Sequence, residues 1–388
     1  MRDNILNLFK EVFGERENIK AFFSPGRVNL IGEHTDYNGG NVFPCALSFG
    51  TYGAISLRND NSVNMYSKNF ENLGVISFDI NELKNEKEHD WANYPKGVIS
   101  VLRNHGYKID KGFDMVVYGN IPNGAGLSSS ASIELLMGVM IDNLLNLNID
   151  RVELVKFCQE AENKFIGVNC GVMDQFAIGM GKKDSAILLD CNTLDYKYSK
   201  IDLDDKVIII GNTNKRRGLA DSKYNERRSE CEKALENLQE KLDIKSLGDL
   251  TEKVFEENKS LILNATNQKR AKHAVYENQR TLKAVKALQE NDINTFGKLM
   301  VDSHNSLKDD YEVTGKELDT LVELALNHEG TIGSRMTGAG FGGCTVSIVK
   351  KDMKDDFIKA VSKRYREIIG YDADFYVAKI GDGTRELV

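Results

Sequence analysis

Residues 119–132 place the tightest limit on what this chain can become. They read Gly119-Asn120-Ile121-Pro122-Asn123-Gly124-Ala125-Gly126-Leu127-Ser128-Ser129-Ser130-Ala131-Ser132. The apolar run Met115 to Tyr118 before them reads as a strand, and a helix is predicted over 128–147 after them. Glycines let a backbone approach a ligand closely, and the open N–H groups of a helix start attract anions. Three successive serines add hydroxyl donors, and a serine oxygen can also face a metal. Strand, glycine loop and helix together make a phosphate cradle. It is not a Walker A loop: Gly119 and Gly124 have the required separation, but Ala125 stands where lysine is needed. A serine N-cap after a tight turn would account for one serine, not for the whole assembly.

Two further glycine-rich segments flank this one. Residues 333–344 contain Gly338, Gly340 and Gly343, which fit G-x-G-x-x-G. A dinucleotide site needs a helix next, yet Thr345 to Val349 continues as a strand, so that reading fails. A second loop over a bound nucleotide or sugar and a tight turn between elements both remain open. Residues 25–40 crowd Glu33, His34 and Asp36 between glycines and an apolar stretch. Carboxylates and an imidazole at that spacing can hold the hydroxyls of a polyol. A solvated turn with an incidental histidine is the alternative, and metal binding is the weaker one because H-E-x-x-H spacing is missing.

The rest of the chain sets the frame. Val42 to Leu47 and Tyr52 to Leu57 read as strands in a strand-rich stretch 21–120, and 151–167 reads as a helix. Lys206 to Ile210 reads as a strand, followed by charged helices over roughly 220–242 and 267–306 and a helix near 315–328. Lys354 to Ile369 reads as a helix and Asp374 to Ile380 as a closing strand. Strand-rich then helix-rich segments predict an α+β protein in two lobes, 1–195 and 196–388. The 388 residues suffice for two ordinary cores. A net charge of -7 argues against nucleic acid as a partner. Ile5, Leu8, Phe9, Val12 and Phe13 share one helical face interrupted by charges, so the N-terminus reads as an amphipathic helix rather than a secretory signal. No apolar run approaches a membrane span. The six scattered cysteines lack C-x-x-C spacing and read as reduced thiols of a cytoplasmic protein.

The three glycine-rich segments resemble, in order, the three signature motifs of the GHMP kinases. The first, Gly26 to Gly40, closely resembles the form found in the galactokinase branch. Trp91 to Tyr94, Gly171 to Phe176 and Ser222 to Arg228 are similar to the same family. The resemblance implies a two-lobed GHMP kinase fold, with an N-terminal lobe of the ribosomal S5 domain 2 type and a ferredoxin-like C-terminal lobe. It implies Mg²⁺-dependent transfer of the γ-phosphate of ATP to the C1 hydroxyl of galactose. Glu33, His34, Thr35 and Asp36 would hold the sugar, with Gly171 and Tyr224 lining its pocket. Asn123, Gly124, Ala125, Gly126, Leu127, Ser128, Ser129 and Ser130 would wrap the phosphates. Ser130 and Glu162 would bind Mg²⁺, and Ser67 and Trp91 would lie near the base. Asp174 would be the catalytic base and Arg27 its electrostatic partner. A monomer with small-molecule partners, without nucleic acid or membrane, is expected.

Two of these roles can be weighed without the family. Val155, Cys158, Glu162 and Phe165 fall on one face of the helix expected over 151–167. A glutamate on an apolar stripe is costly unless a cation pairs with it, and Mg²⁺ prefers such oxygen ligands. A frame shift that takes Glu162 to water is the alternative. Asp174 alone reads as the N-cap of the run Gln175 to Met180; only the resemblance makes it a base. Two other functions stay open: a GHMP kinase acting on an N-acetylated amino sugar, and a non-catalytic sensor of galactose and ATP. The complete loop together with Asp174 and Arg27 favours catalysis.

Overall fold

The computed structural model describes residues 1–122, 126–215 and 220–388. The first part of the chain runs α1 (Arg2–Phe13), β1 (Lys20–Asn29), β2 (Asn41–Val42), β3 (Pro44–Leu57), β4 (Ser62–Ser67), β5 (Val75–Asp79), α2 (Asn93–Asn104), β6 (Phe113–Gly119), α3 (Ser129–Leu145), α4 (Arg151–Glu160), α5 (Met173–Met180), β7 (Ser185–Asp190) and β8 (Tyr196–Lys200). The remainder runs β9 (Lys206–Asn212), α6 (Ala220–Gln239), α7 (Glu252–Asn258), α8 (Ala265–Gln289), α9 (Ile293–Asp309), α10 (Gly315–Leu326), β10 (Thr331–Thr337), β11 (Cys344–Lys350), α11 (Lys354–Ile369), β12 (Asp374–Ala378) and β13 (Arg385–Glu386).

Three sheets organise these elements, in the strand orders β13-β1-β3-β6-β4-β5, β10-β11-β9-β12 and β2-β7-β8. In the first, only β4 and β6 run parallel. Both of its faces are covered. Met115 and Val117 of β6 enter a large core with α2 to α5, while Val116 points the other way and meets Ile5 and Phe9 of α1. The second sheet is antiparallel and also covered twice. Ile209 and Val349 pack on α10 and α11, whereas Ile208, Ile210, Val346 and Ile348 join a core with α8, α9 and the β1–β3 region. That alternation is the period of two that a pleated strand imposes. The expected division at 195/196 falls in the turn between β7 and β8, and β13 adds to the edge of the first sheet beside β1.

Several elements differ from the sequence reading. Val42 belongs to β2, and the rest of the two strands expected at 42–47 and 52–57 is one long strand, β3 from Pro44, which stays continuous because Gly50 and Thr51 pair with Pro25 and Ser24 of β1. The helix expected over 267–306 is two, α8 and α9. Asn291 takes a positive φ of 59°, and the Asp292 carboxylate accepts from Thr295 N at 3.0 Å to start α9. Continuous helix-favouring charge hid that break. The helix expected over 151–167 is α4 to Glu160, followed by a π-helical turn, Ala161–Ile166.

Helix α9 crosses β10 at a point where neither backbone carries a side chain. A Cβ on Gly333 would sit 2.6 Å from Gly297 Cα, and one on Gly297 would strike the Ile332 carbonyl. Alanine in an exposed helix gains roughly 1 kcal/mol over glycine. At Gly297 overpacking outweighs that gain, so Gly297→Ala lowers stability by about 1–3 kcal/mol. Urea unfolding followed by circular dichroism reads the sign.

Candidate active site

Strand β1 delivers the first site residue through an irregularity. Its register with β3 shifts between Pro25 and Arg27. A bulge of this kind re-aims the side chain that follows it. Arg27, 4% exposed, turns its guanidinium onto Asp174 of α5, with Nε–Oδ1 at 2.7 Å and Nη2–Oδ2 at 2.8 Å. This two-point geometry fixes both groups better than a single contact could. Arg27 Nη1 donates to the Gly126 carbonyl at 2.8 Å, and Leu127 O accepts from Arg27 N at 3.2 Å. Asp174 lies inside the first turn of α5, whose N-cap is Val172.

The glycine–serine loop closes on the same carboxylate. Ser128 holds a left-handed backbone, φ 61°, that a serine seldom adopts. Its hydroxyl donates to Asp174 Oδ2 instead of capping α3. The N–H groups of the first turn of α3, which begins at Ser129, thus face the loop without a side-chain cap, as an anion requires. Asn123, Gly124 and Ala125 lie outside the described residues.

Two cavities involve this loop, one through side chains bonded to it and the other through residues at its ends. One, of about 290 Å³, is lined by Arg27, Glu33, His34, Asp36, Asp174 and Tyr224 among others. Gly171 belongs to the same wall; a Cβ there would collide with the Asp36 carboxylate, so only glycine lets that acid reach the cavity. The other, of about 220 Å³, is lined by Ser67, Trp91, Tyr94, Ser129, Ser130 and Ile133 among others. Trp91 follows Asp90, whose φ of 42° turns the chain into this wall. Ser128 bonds Asp174 of the first cavity, and Ser130 of the second favours the charged form of Glu162 in the first.

Distant parts of the chain hold the 33–36 cluster. Glu33 Oε1 accepts from Gly338 N at 2.8 Å, Thr337 Oγ1 at 3.0 Å and Arg335 Nη1 at 3.3 Å. His34 Nε2 faces the Ala339 carbonyl at 3.2 Å, and Nδ1 faces Tyr37 Oη at 2.8 Å. A carbonyl can only accept, so Nε2 carries the proton and Tyr37 donates to Nδ1. The chain of bonds continues from Tyr37 to Tyr311 at 2.8 Å. Thr35 lies behind the cavity, fully buried, its single hydroxyl hydrogen placed between the carbonyls of Gly32 and Asn41. Tyr224 packs its ring 5.7 Å from that of His34. No local pattern marks Tyr311, nor Glu277 of α8, whose carboxylate accepts from Gly32 N at 3.0 Å and so steadies the loop from the far half. Arg335 stood in the third glycine segment without a reason to single it out.

Comparison with known proteins agrees with this arrangement. The galactokinase galactose-binding signature matches residues 7–57, the GHMP kinases N terminal domain 93–182 and the GHMP kinases C terminal family 284–367. The chain is 64% identical to the galactokinase of Clostridium acetobutylicum over 98% of its length and 97% of that protein. It is 60% identical to the Bacillus subtilis galactokinase over 100% of its length and 99% of that protein. This chain belongs to the galactokinase family. Its fold superposes on Lactococcus lactis galactokinase complexed with galactose with a TM-score of 0.97 at 53% identity, covering 99% of each chain. The mevalonate kinase of Methanococcus jannaschii, at 19% identity and a TM-score of 0.66 over 95% of this chain and 100% of that one, shares the fold alone. Galactokinases of the GHMP superfamily are ATP-dependent sugar kinases, and this chain is one of them.

Within this kinase the electrostatics follow from burial. Burial, then Asp174, pushes the Asp36 carboxyl up to about 7. Burial drives the His34 ring down to about 3, so it stays neutral, consistent with its hydrogen bonds. Glu162 sits on the π-turn, 7% exposed, and burial followed by Asp174 pushes it up to about 7. The oxygens of Ser130 and Glu162 are of the kind that a divalent cation takes as ligands. Among the described residues no three His, Cys, Asp or Glu groups form a complete metal cage.

Asp36 makes this electrostatic pattern testable. Its folded-state pKa is raised from 3.8 to about 7, so the stability it contributes is present below pH about 4 and lost as pH rises through about 7. Asp36→Asn removes the charged form. At pH 8 the ligand-free variant is expected to be more stable than the parent by about 1–2 kcal/mol, one pKa unit being worth about 1.4 kcal/mol before cavity water screens it. At pH 4 the difference vanishes. Thermal unfolding at both pH values reads this.

Proposed function

We propose that this chain transfers the γ-phosphoryl group of ATP, with Mg²⁺, to the C1 hydroxyl of galactose, giving galactose 1-phosphate and ADP. The observation that carries the reading is the two-point pairing of Arg27 with Asp174 on the wall of a cavity, both groups also bonded to the glycine–serine loop. Phosphoryl transfer needs alignment and charge neutralisation more than covalent chemistry, and these residues supply both.

In this reading the sugar occupies the 290 Å³ cavity. Glu33, His34, Asp36 and Tyr224 hold it, Gly171 leaves it room, and Thr35 fixes the loop behind. Ser67 and Trp91 flank the nucleotide base. Asn123 to Ser130 wrap the phosphates, with the open N–H groups of α3 directed at them. Ser130 and Glu162 would hold Mg²⁺, which would supply charge neutralisation to the phosphates. The O1–Pγ bond forms as the Pγ–O bond to ADP breaks, and the O1 proton passes to Asp174. Arg27 keeps Asp174 aimed and stabilises charge in the transition state. We further propose two lobes, near 1–195 and 196–388, that hold the substrates between them, and a monomeric cytoplasmic enzyme; no described helix is long and apolar enough to cross a membrane.

Release of ADP from Mg-ATP, measured across galactose, glucose, N-acetylgalactosamine, mevalonate and homoserine, tests the substrate. Galactose gives the highest kcat/KM if the reading holds, and a different best acceptor overturns it. Asp174→Asn separates base from positioner. Galactose binding by calorimetry persists while kcat falls by roughly two orders of magnitude or more. Near-parental turnover removes Asp174 from the proton-accepting role.

A further inference from the structure

Beneath the phosphate site lies a buried polar chain that the reaction as described does not use. Gln175, next to Asp174 on α5 and fully buried, donates from Nε2 to Glu162 Oε2 at 2.6 Å and to Glu134 Oε2 at 3.1 Å. Glu134 is fully buried in α3. An amide nitrogen carries two hydrogens, so both bonds form at once. This orientation lets the amide nitrogen reach both carboxyl groups with its two hydrogens.

Three features make this more than packing. First, burying two carboxyl groups and an amide together is costly, and apolar side chains of the same volume would stabilise a fold at least as well. Second, Glu134 Oε1 and Gln175 Oε1 have no hydrogen-bond partner among the described residues, which a network built only for stability would avoid. Third, the three members come from three separate elements, each carrying one part of the site. Glu134 sits on the helix that starts at the glycine–serine loop, Glu162 on the π-turn, and Gln175 beside Asp174. A π-turn inserts an extra residue and shifts where a side chain points, so Glu162 depends on such a partner for its orientation.

We propose that Gln175 is a positioning residue for the divalent cation: anchored by Glu134, its amide occupies one oxygen of Glu162 and turns the carboxylate toward Ser130 and the phosphates. The inference rests on the reading of Glu162 as a metal ligand. Residues of this kind set ligand orientation, and their loss costs roughly 10–100-fold in metal affinity.

The test uses the full chain with galactose, a non-hydrolysable ATP analogue and Mn²⁺, the free Mn²⁺ being read by electron paramagnetic resonance. Gln175→Leu is expected to weaken Mn²⁺ binding by about tenfold or more, to raise the KM for Mg²⁺ in turnover, and to leave galactose affinity without nucleotide or metal unchanged. Glu134→Gln keeps an oxygen that accepts from Gln175 and retains most of the Mn²⁺ affinity; Glu134→Leu does not. Should Gln175→Leu fail to fold, Gln175→Asn, too short to span both carboxyl groups, serves in its place. Parental Mn²⁺ affinity in the Gln175 variant, alongside weakened binding in Glu162→Gln, overturns the positioning role alone. Parental affinity in Glu162→Gln overturns the metal-ligand reading and this inference with it. Equal losses of galactose and Mn²⁺ affinity assign Gln175 to packing and overturn the proposal.

Discussion

The paired contact between Arg27 and Asp174 is the constraint around which the site is arranged. It ties the bulged strand β1 to helix α5, and through Gly126 and Ser128 it ties both to the glycine–serine loop. Each partner is reached by an irregular backbone: a register shift before Arg27 and a left-handed residue at Ser128. Regular strand and helix would aim neither side chain at the shared point. The distortion persists because a two-point ion pair and buried packing on both sides over-determine it.

Burial then sets the chemical character of the surrounding groups. Asp36 and Glu162 are carboxyl groups kept where charge is unfavourable, each with a raised pKa, while His34 is held neutral by its surroundings and by bonds at both ring nitrogens. These groups make the ligand-free protein less stable than it could be. Carboxyl groups and an imidazole shifted this far by their surroundings are the ones whose protonation a bound polar or charged group would change most.

What the sequence made legible was local. The strand, glycine loop and helix around residue 124 could be read because every cue lies within about twenty positions. Glu162 was readable as a buried acid because helical spacing placed it on the stripe with Val155 and Cys158, though the π-turn that carries it left no pattern. The charged run 267–306 concealed its break, since Asn291 and Asp292 interrupt a stretch that otherwise favours helix throughout. Contacts across the chain were not legible. The grip of Thr337 and Gly338 on Glu33 spans some three hundred residues, and the link from Tyr37 to Tyr311 nearly as many. No single-sequence periodicity encodes such pairs; they follow from topology.

That grip on Glu33 also bears on how such a protein can change over generations. The acid sits in the first glycine-rich segment and its donors in the last, so the wall of one cavity is written at two ends of the coding sequence. Recombination that exchanged one half for that of a diverged relative would set Glu33 against donors other than Arg335, Thr337 and Gly338. A change at either end of the gene thus reaches the same carboxylate, however far apart the two lie in the coding sequence.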